Sequence, residues 1–251
     1  MTVRLLADNP SGSTMVAGQV VLMIVGEPVK VEFLVPDGLV AAEELVPIFQ
    51  GLTDLFVARA RTRTEAAGEV ISCRAGCGAC CRQIVPVSAA EARALARLVA
   101  AMPEPRRSQV RQRFDSALTM LADAGLLTRI ERDRKGEDSE APELALAYFY
   151  RGIACPFLDD ESCSIHLDRP LACREYLVTS PAQNCKTPSA ATIDMVRLEA
   201  KPSLALLKAT GGETNDGWMP LVSALEFAAR VQPSPPSRSG AEMLRDFLGQ
   251  L

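Results

Sequence analysis

The chain has no excess of basic residues, no long apolar run and only one histidine. Its 27 Lys and Arg residues against 31 Asp and Glu give a net charge of −4, which excludes a nucleic-acid binder that works by covering phosphates. No stretch reaches the ~18 consecutive apolar residues of a membrane span, and residues 1–18 lack the apolar core of a secretory signal. We therefore expect a cytoplasmic protein without nucleic-acid or membrane partners. With one histidine, His166, a Ser–His–Asp triad has no support.

Cysteine is absent from the first 72 residues and from the last 66, yet eight cysteines lie between Cys73 and Cys185. Four of them fall within nine residues. Eight is too few for a disulfide scaffold, in which ~8–10% of the residues are cysteine. In a cytosolic chain, clustered thiols indicate metal binding or redox chemistry rather than disulfides.

The hydrophobic patterning predicts an α+β, mostly helical fold. Alternating apolar residues from Gln19 to Val35 predict a small β-hairpin that turns near Gly26. Helical spacing from Leu45 to Phe56 predicts a helix with Pro47 in its first turn. A capping box formed by Ser88 and Glu91 opens a helical hairpin, which we expect to end at Gly125.

The secondary structure of the rest of the chain is predicted from the positions of charged residues, proline and glycine. The charged segment 131–143 favours a solvated loop. A helix is predicted to open at Thr187, to be kinked or divided at Pro202 and to end at Gly211 and Gly212, and two short amphipathic stretches follow at 221–231 and 241–248. These elements divide the chain into an N-terminal hairpin plus helix (1–68), an irregular cysteine-rich metal-binding domain (69–186) and a helical extension (187–251) with a Pro/Ser linker at 232–239.

The first cysteine block, Cys73-Arg-Ala-Gly-Cys77-Gly-Ala-Cys80-Cys81, lets one loop present several sulfurs toward one point. Gly76 and Gly78 permit the backbone angles of such a loop and leave room for a metal. Thiolates are the ligands of Zn²⁺ and of iron–sulfur clusters. The second block contains Cys155, Cys163, Cys173 and Cys185, and a tight turn at 159–162 should bring Cys155 and Cys163 together.

The two blocks resemble the CxxCxxCC cysteine-cluster family of zinc- or iron-chelating (YkgJ-type) proteins. The resemblance covers residues 71–185 and rests on the cysteines together with Gly78, the Cys155-Pro-Phe-Leu158 run, Arg169-Pro170 and Cys173-Arg174 with Tyr176. Here the first gap is three residues, and His166 stands where the family tends to have tyrosine. We therefore expect His166 to pack beside Arg169 rather than to bind metal. The resemblance does not extend to the flanking hairpin or to the C-terminal helices.

All eight cysteines are candidate metal ligands. Adjacent side chains diverge, so Cys80 and Cys81 cannot both sit comfortably in one tetrahedral mononuclear site. The cysteines therefore form two four-thiolate sites, or one polynuclear site with extra thiols. The net charge of about −2 on a four-thiolate site needs cationic neighbours. The candidates are Arg74, Arg82, Arg169 and Arg174, although Arg169 and Arg174 could instead pair with Asp159, Asp160, Asp168 or Glu175.

The cofactor is predicted to be an iron–sulfur cluster, such as [4Fe–4S], or Zn²⁺. The second block has no C-x2-C pair, which favours iron–sulfur. The C-x3-C-x2-C spacing of Cys73, Cys77 and Cys80 is similar to that of radical S-adenosylmethionine enzymes, and flagellin lysine N-methylases carry a similar cluster. An iron–sulfur-dependent methyl-transferring enzyme is therefore the alternative function. A second alternative is a protein-interaction module with a structural metal, which would dock a protein partner through the N-terminal hairpin and a detachable helix at 241–248.

Overall fold

The structure, a computed structural model, describes residues 2–10, 12–134, 141–189, 191–214, 217–231 and 236–251. Its α-helices are α1 (Val46–Ala66), α2 (Ala89–Ala101), α3 (Arg106–Asp123), α4 (Leu126–Arg134), α5 (Ala141–Tyr150), α6 (Leu171–Glu175), α7 (Pro202–Thr214), α8 (Ala224–Arg230) and α9 (Gly240–Leu248). Its strands are β1 (Thr2–Leu6), β2 (Met15–Ile24), β3 (Glu27–Pro36), β4 (Pro86–Val87), β5 (Leu158–Asp159), β6 (Ser162–Cys163) and β7 (Met219–Pro220). The predicted α+β, mostly helical class is confirmed.

The N-terminal hairpin forms as predicted, and its strands extend beyond the predicted range of Gln19 to Val35. Strands β2 and β3 pair antiparallel, and the turn places Val25 and Gly26 at positive φ. The sequence pattern missed β1, which adds to β3 in parallel and gives the strand order β1-β3-β2. Five residues with modest alternation carry little strand signal on their own, and their pairing depends on β3 being in place.

The main core lies between this sheet, α1 and α9. Residues of α1 repeat at helical spacing and bury Ile48, Phe49 and Leu52 almost completely. The ring of Phe247 from α9 packs on Phe49 with centroids 4.5 Å apart. Leu171, which precedes one of the cysteines, is also part of this core. The core thus combines residues of all three predicted segments, and the domain division stays a prediction.

A second core joins α2, α3 and α8 to the second cysteine block. The predicted capping box is confirmed, since Ser88 Oγ accepts the Glu91 N–H while the Glu91 carboxylate accepts the Ser88 N–H. Phe157 is fully buried and meets Phe114 of α3 edge to face, with centroids 5.4 Å apart. Phe157 lies two residues after Cys155, so this contact fixes the second block to the helical hairpin.

We expect Phe157→Ala to destabilise the protein by about 3–5 kcal/mol, because it leaves a cavity between two packed elements. Leu167→Ala is the matched control, because Leu167 lies in the same block and is 83% exposed. That control should change the unfolding free energy by less than ~0.5 kcal/mol. Urea unfolding of both variants measures the difference, and equal losses would show that Phe157 does not anchor the block.

The predicted helix opening at Thr187 is wrong. Residues 187–189 and 191–201 are irregular, and α7 begins at Pro202 and continues through the two glycines to Thr214. Proline suits the first turn of a helix and disrupts its interior, so Pro202 starts a helix instead of kinking one. The preceding segment is held by long-range contacts, including the Val196 N–H to the Leu177 carbonyl at 2.8 Å.

Two further expectations need correction. The charged segment is not a loop over its whole length, because α4 extends to Arg134 and α5 begins at Ala141; residues 135–140 lie outside the described residues. The C-terminal helix is not detachable, because Met243, Leu244 and Phe247 are buried in the main core. The N-terminal hairpin packs on the same core. Of the predicted linker, 232–235 lie outside the described residues, while the backbone carbonyl of Arg238 accepts the Val40 N–H at 3.0 Å.

Candidate metal centre

The first cysteine block is an irregular loop tied to the chain that follows the second block. The Ser72 N–H donates to the Val178 carbonyl at 2.9 Å, and the Val178 N–H donates to Cys73 Sγ at 3.4 Å. Gly76 has a φ of +80°, which L side chains rarely adopt. The predicted need for glycine at this position is therefore confirmed.

Gly78 is needed for a different reason than the one predicted. Its φ is −91°, which other residues adopt. However, a Cβ at this position would lie 2.7 Å from Leu158 Cδ1 and 3.1 Å from Glu161 Cα. The missing side chain therefore makes room for the second block and not for a metal. Arg82 fastens this contact by donating to the Gly78 carbonyl at 2.9 Å and pairing with Glu161 at 2.5 Å.

The tight turn predicted at 159–162 is confirmed. Strands β5 and β6 pair antiparallel with Leu158 opposite Cys163, and Asp160 and Glu161 form the turn at positive φ. Such a two-residue turn matches the twist of a hairpin. The Cys155 N–H donates to the Cys81 carbonyl at 2.7 Å, which brings the two blocks side by side.

Helix α6 carries Cys173 and is held from three sides. The Arg174 guanidinium is buried and pairs with Asp54 of α1 at 2.6 Å, and it also donates to the Arg169 carbonyl at 2.9 Å. Glu91 accepts the Leu171 N–H at 2.9 Å. Buried polar groups need such partners, so these bonds fix the direction in which the short helix presents Cys173.

All eight cysteines line one cavity of about 530 Å³. The cysteine-rich segments thus meet at one place, although they are separated by about seventy residues of helical chain. Within the described ranges, no group of three or more His, Cys, Asp or Glu side chains converges closely enough to hold a metal ion. The sulfurs are spread around the wall of the cavity rather than around a single point.

Six of the cysteines divide into two sets. We call Cys73, Cys77 and Cys185 the first thiol set, because they pack together around Ala79 and Val178. We call Cys155, Cys163 and Cys173 the second thiol set. Cys155 and Cys163 pack against the second core, and their charges act on Cys173.

The two remaining thiols, Cys80 and Cys81, are adjacent in the chain and line the same cavity. The pKa of Cys80 is raised by a hydrogen bond with Cys81 and by burial. The charge of Cys80 acts on Cys73 and Cys185 in the first set and also on all three members of the second set. Cys80 therefore lies within electrostatic reach of thiols of both sets.

Burial raises the pKa of Cys73 and Cys185 in the first set and of all three thiols in the second set, that of Cys155 to about 12. The positive charge of Arg169 opposes this rise at Cys73, Cys163 and Cys173. Arg169 lines the cavity, and its Nε is buried with no hydrogen-bond partner in the described part of the chain. A buried guanidinium nitrogen without a partner is costly unless negative charge develops beside it.

The four arginines that were predicted to neutralise the thiolate sites lie in different surroundings. Arg169 faces the thiols, and Arg74 is exposed on the wall of the same cavity. Arg82 pairs with Glu161, and Arg174 pairs with Asp54 instead of the acidic partners considered above. The expected place of His166 beside Arg169 agrees with its electrostatics, since the Arg169 charge lowers the pKa of His166.

Sequence reasoning missed the residues that position the site. Asp54 on α1, Arg106 and Arg113 on α3, and Glu91 on α2 all brace the second block, the two arginines by pairing with Asp159 at 2.6 Å each. The capping role of Glu91 could be predicted from the sequence, but its hydrogen bond with the Leu171 N–H of α6 could not. The others look like ordinary surface charges in the sequence.

The donor set fits a thiolate-bound metal. Soft sulfur ligands select zinc or iron–sulfur centres, and the orphaned Arg169 Nε suits the negative charge that such a centre places in the cavity. An α+β, mostly helical chain with eight thiols around one cavity has the donor set of a cysteine-rich metal-chelating protein.

Comparison with known families places the cysteine region in that class. Residues 72–190 match the CxxCxxCC family, described as "Putative zinc- or iron-chelating domain". The match confirms the resemblance predicted from the cysteine motifs and supports metal binding by this part of the chain. No curated protein and no solved structure matches the chain. None of the helices in the described ranges combines the length and the apolar character that crossing a membrane demands.

Proposed function

We propose that this protein binds metal with thiolates of both cysteine blocks, in two neighbouring four-thiolate sites. The first thiol set and the second thiol set each take one further donor from the pair Cys80–Cys81. The observation that carries the proposal is the single cavity that all eight cysteines line, with the unpartnered Arg169 Nε in its wall.

The size of the cavity favours iron–sulfur clusters over single zinc ions. About 530 Å³ is far more space than one or two bare ions need. Thiols spread around such a wall suit a polynuclear centre, in which each thiolate binds a different iron. A mononuclear zinc site would instead need four sulfurs within about 2.3 Å of one point.

The bound metal would hold the cysteine-rich region together. Short strands, 3₁₀ turns and single hydrogen bonds connect the blocks there, and this backbone gives little cooperative stability of its own. A redox role is compatible with the same site, since Arg169 would tune the charge of the centre.

Elemental analysis of anaerobically purified protein, combined with its visible absorption spectrum, tests the proposal. Brown protein with iron and acid-labile sulfide supports iron–sulfur clusters. A colourless protein with stoichiometric zinc would retain thiolate metal binding and overturn the choice of metal. Protein that contains no metal after purification and after anaerobic reconstitution would overturn the proposal.

Arg169→Leu should reduce metal occupancy and shift the reduction potential of the centre to more negative values, because it removes positive charge beside the thiolates. Arg169→Lys should restore most of both properties. Arg74→Leu is the matched control, since Arg74 lies on the exposed rim of the same cavity and solvent screens its charge. Equal effects of Arg169→Leu and Arg74→Leu on the potential would contradict a specific role for Arg169.

A further inference from the structure

A second cavity, of about 520 Å³, lies on the other side of the loop that carries Arg169. It is bounded by the chain after β1, the start of α1, helix α2 and residues Asp168 and Pro170. Arg169 lines the thiol cavity while its neighbour Asp168 lines this one. Apart from Pro170, which borders both, the two cavities have different walls.

Carboxylates dominate the polar part of this second cavity. Asp8, Glu43, Glu91 and Asp168 line it, against one exposed cation, Arg97. Glu91 is already used, because its oxygens accept bonds from Ser88 and Leu171 and burial raises its pKa. The remaining three carboxylates make no ion pair with any residue that the structure describes.

Glu43 sets this cavity apart from an ordinary acidic surface. Its side chain belongs to a residue that is only 8% exposed, yet within the described ranges it has no hydrogen bond and no salt bridge. Because the described residues leave this carboxylate without a partner, it is available to accept charge-assisted hydrogen bonds from a cation that enters the cavity.

The rest of the wall indicates the shape of that ligand. Pro10, Pro47, Leu95 and Leu98 give the cavity an apolar surface between the carboxylates. The carboxylates do not converge around one point, and no metal-holding group of three occurs in the described part of the chain. An extended organic cation with an aliphatic stem matches this wall better than a metal ion does.

We propose that this cavity binds a primary alkylammonium group, with the ammonium at Glu43 and the methylene chain along the proline and leucine side chains. Asp8 and Asp168 at the open side would attract the cation and hold a second amine. The ligand could be a free diamine or the lysine side chain of a peptide. This inference does not rest on the thiol centre, because the two cavities are distinct.

Isothermal titration of the protein as purified, with 1,5-diaminopentane and with an acetylated peptide amide that contains one lysine, tests the inference. At least one probe should bind saturably with a Kd of about 1 mM or lower, and the stronger of the two identifies the source of the amine. 1-Pentanol should not bind, since it lacks the charge. Failure of both amines to bind would overturn the proposal.

Glu43→Gln should weaken binding about tenfold or more, because truncating one partner of a buried charge pair is costly. Glu44→Gln is the matched control, with the same change of charge one residue along and outside the cavity wall. Thermal melts and metal content of both variants show whether fold and thiol centre are intact. Equal affinities of Glu43→Gln, Glu44→Gln and the unchanged protein would contradict the assignment of Glu43.

Discussion

Cys185→Ser and Cys163→Ser should each remove about half of the bound metal, and the double variant should retain none. The reason is that Cys185 belongs to the first thiol set and Cys163 to the second, and a four-thiolate site does not survive the loss of one thiolate. Elemental analysis of the purified variants measures the remaining metal per chain.

His166→Ala is the control for this series, because His166 lines the same cavity without being a predicted ligand. It should keep full occupancy. Complete loss of metal in either single cysteine variant would show one shared centre instead of two sites. Full occupancy in both single variants would remove Cys163 and Cys185 from the ligand set.

Stripping the metal with a chelator should lower the melting temperature by roughly 20–40 °C. Binding to a thiolate site contributes on the order of 10 kcal/mol to folding, and in a chain of this size each kcal/mol corresponds to roughly 2–4 °C. Circular dichroism melts with and without chelator, under anaerobic conditions, measure the shift.

Amide hydrogen exchange should show which parts of the chain lose stability when the metal is removed. Protection should fall in residues 72–82 and 155–186, while β2, β3 and α1 remain protected because their core is built from packed side chains. The double cysteine variant should melt at the same low temperature with or without chelator. An unchanged melting temperature of the original protein after complete metal removal would contradict a structural role for the metal.

Local features of the fold could be predicted from the sequence. The β2–β3 hairpin, the buried face of α1 and the capping box at Ser88 each depend on residues within one turn or one strand of each other. The helix predicted from Thr187 failed for the opposite reason. There the backbone is held by partners near Leu177 and Ser180, which no local pattern reveals.

The sequence was enough to predict which residues form the candidate site, but not how they are arranged around the cavity. Thiols at short spacing are conspicuous in any sequence. That Cys185, the last cysteine, packs with Cys73 and Cys77 could not be inferred, because it depends on how the chain returns past Val178. The roles of the arginines differ for the same reason: similar residues beside cysteines face a cavity in one case and Asp54 in another.

X-ray absorption at the edge of the bound metal tests the central proposal most directly. Two four-thiolate sites predict a first shell of about four sulfurs per metal at about 2.3 Å, whether iron or zinc is bound. In the Cys163→Ser and Cys185→Ser variants, the metal that remains in the other site should keep its four-sulfur shell while the total metal falls by about half. A first shell made mainly of nitrogen or oxygen would contradict the proposal that the cysteines hold the metal.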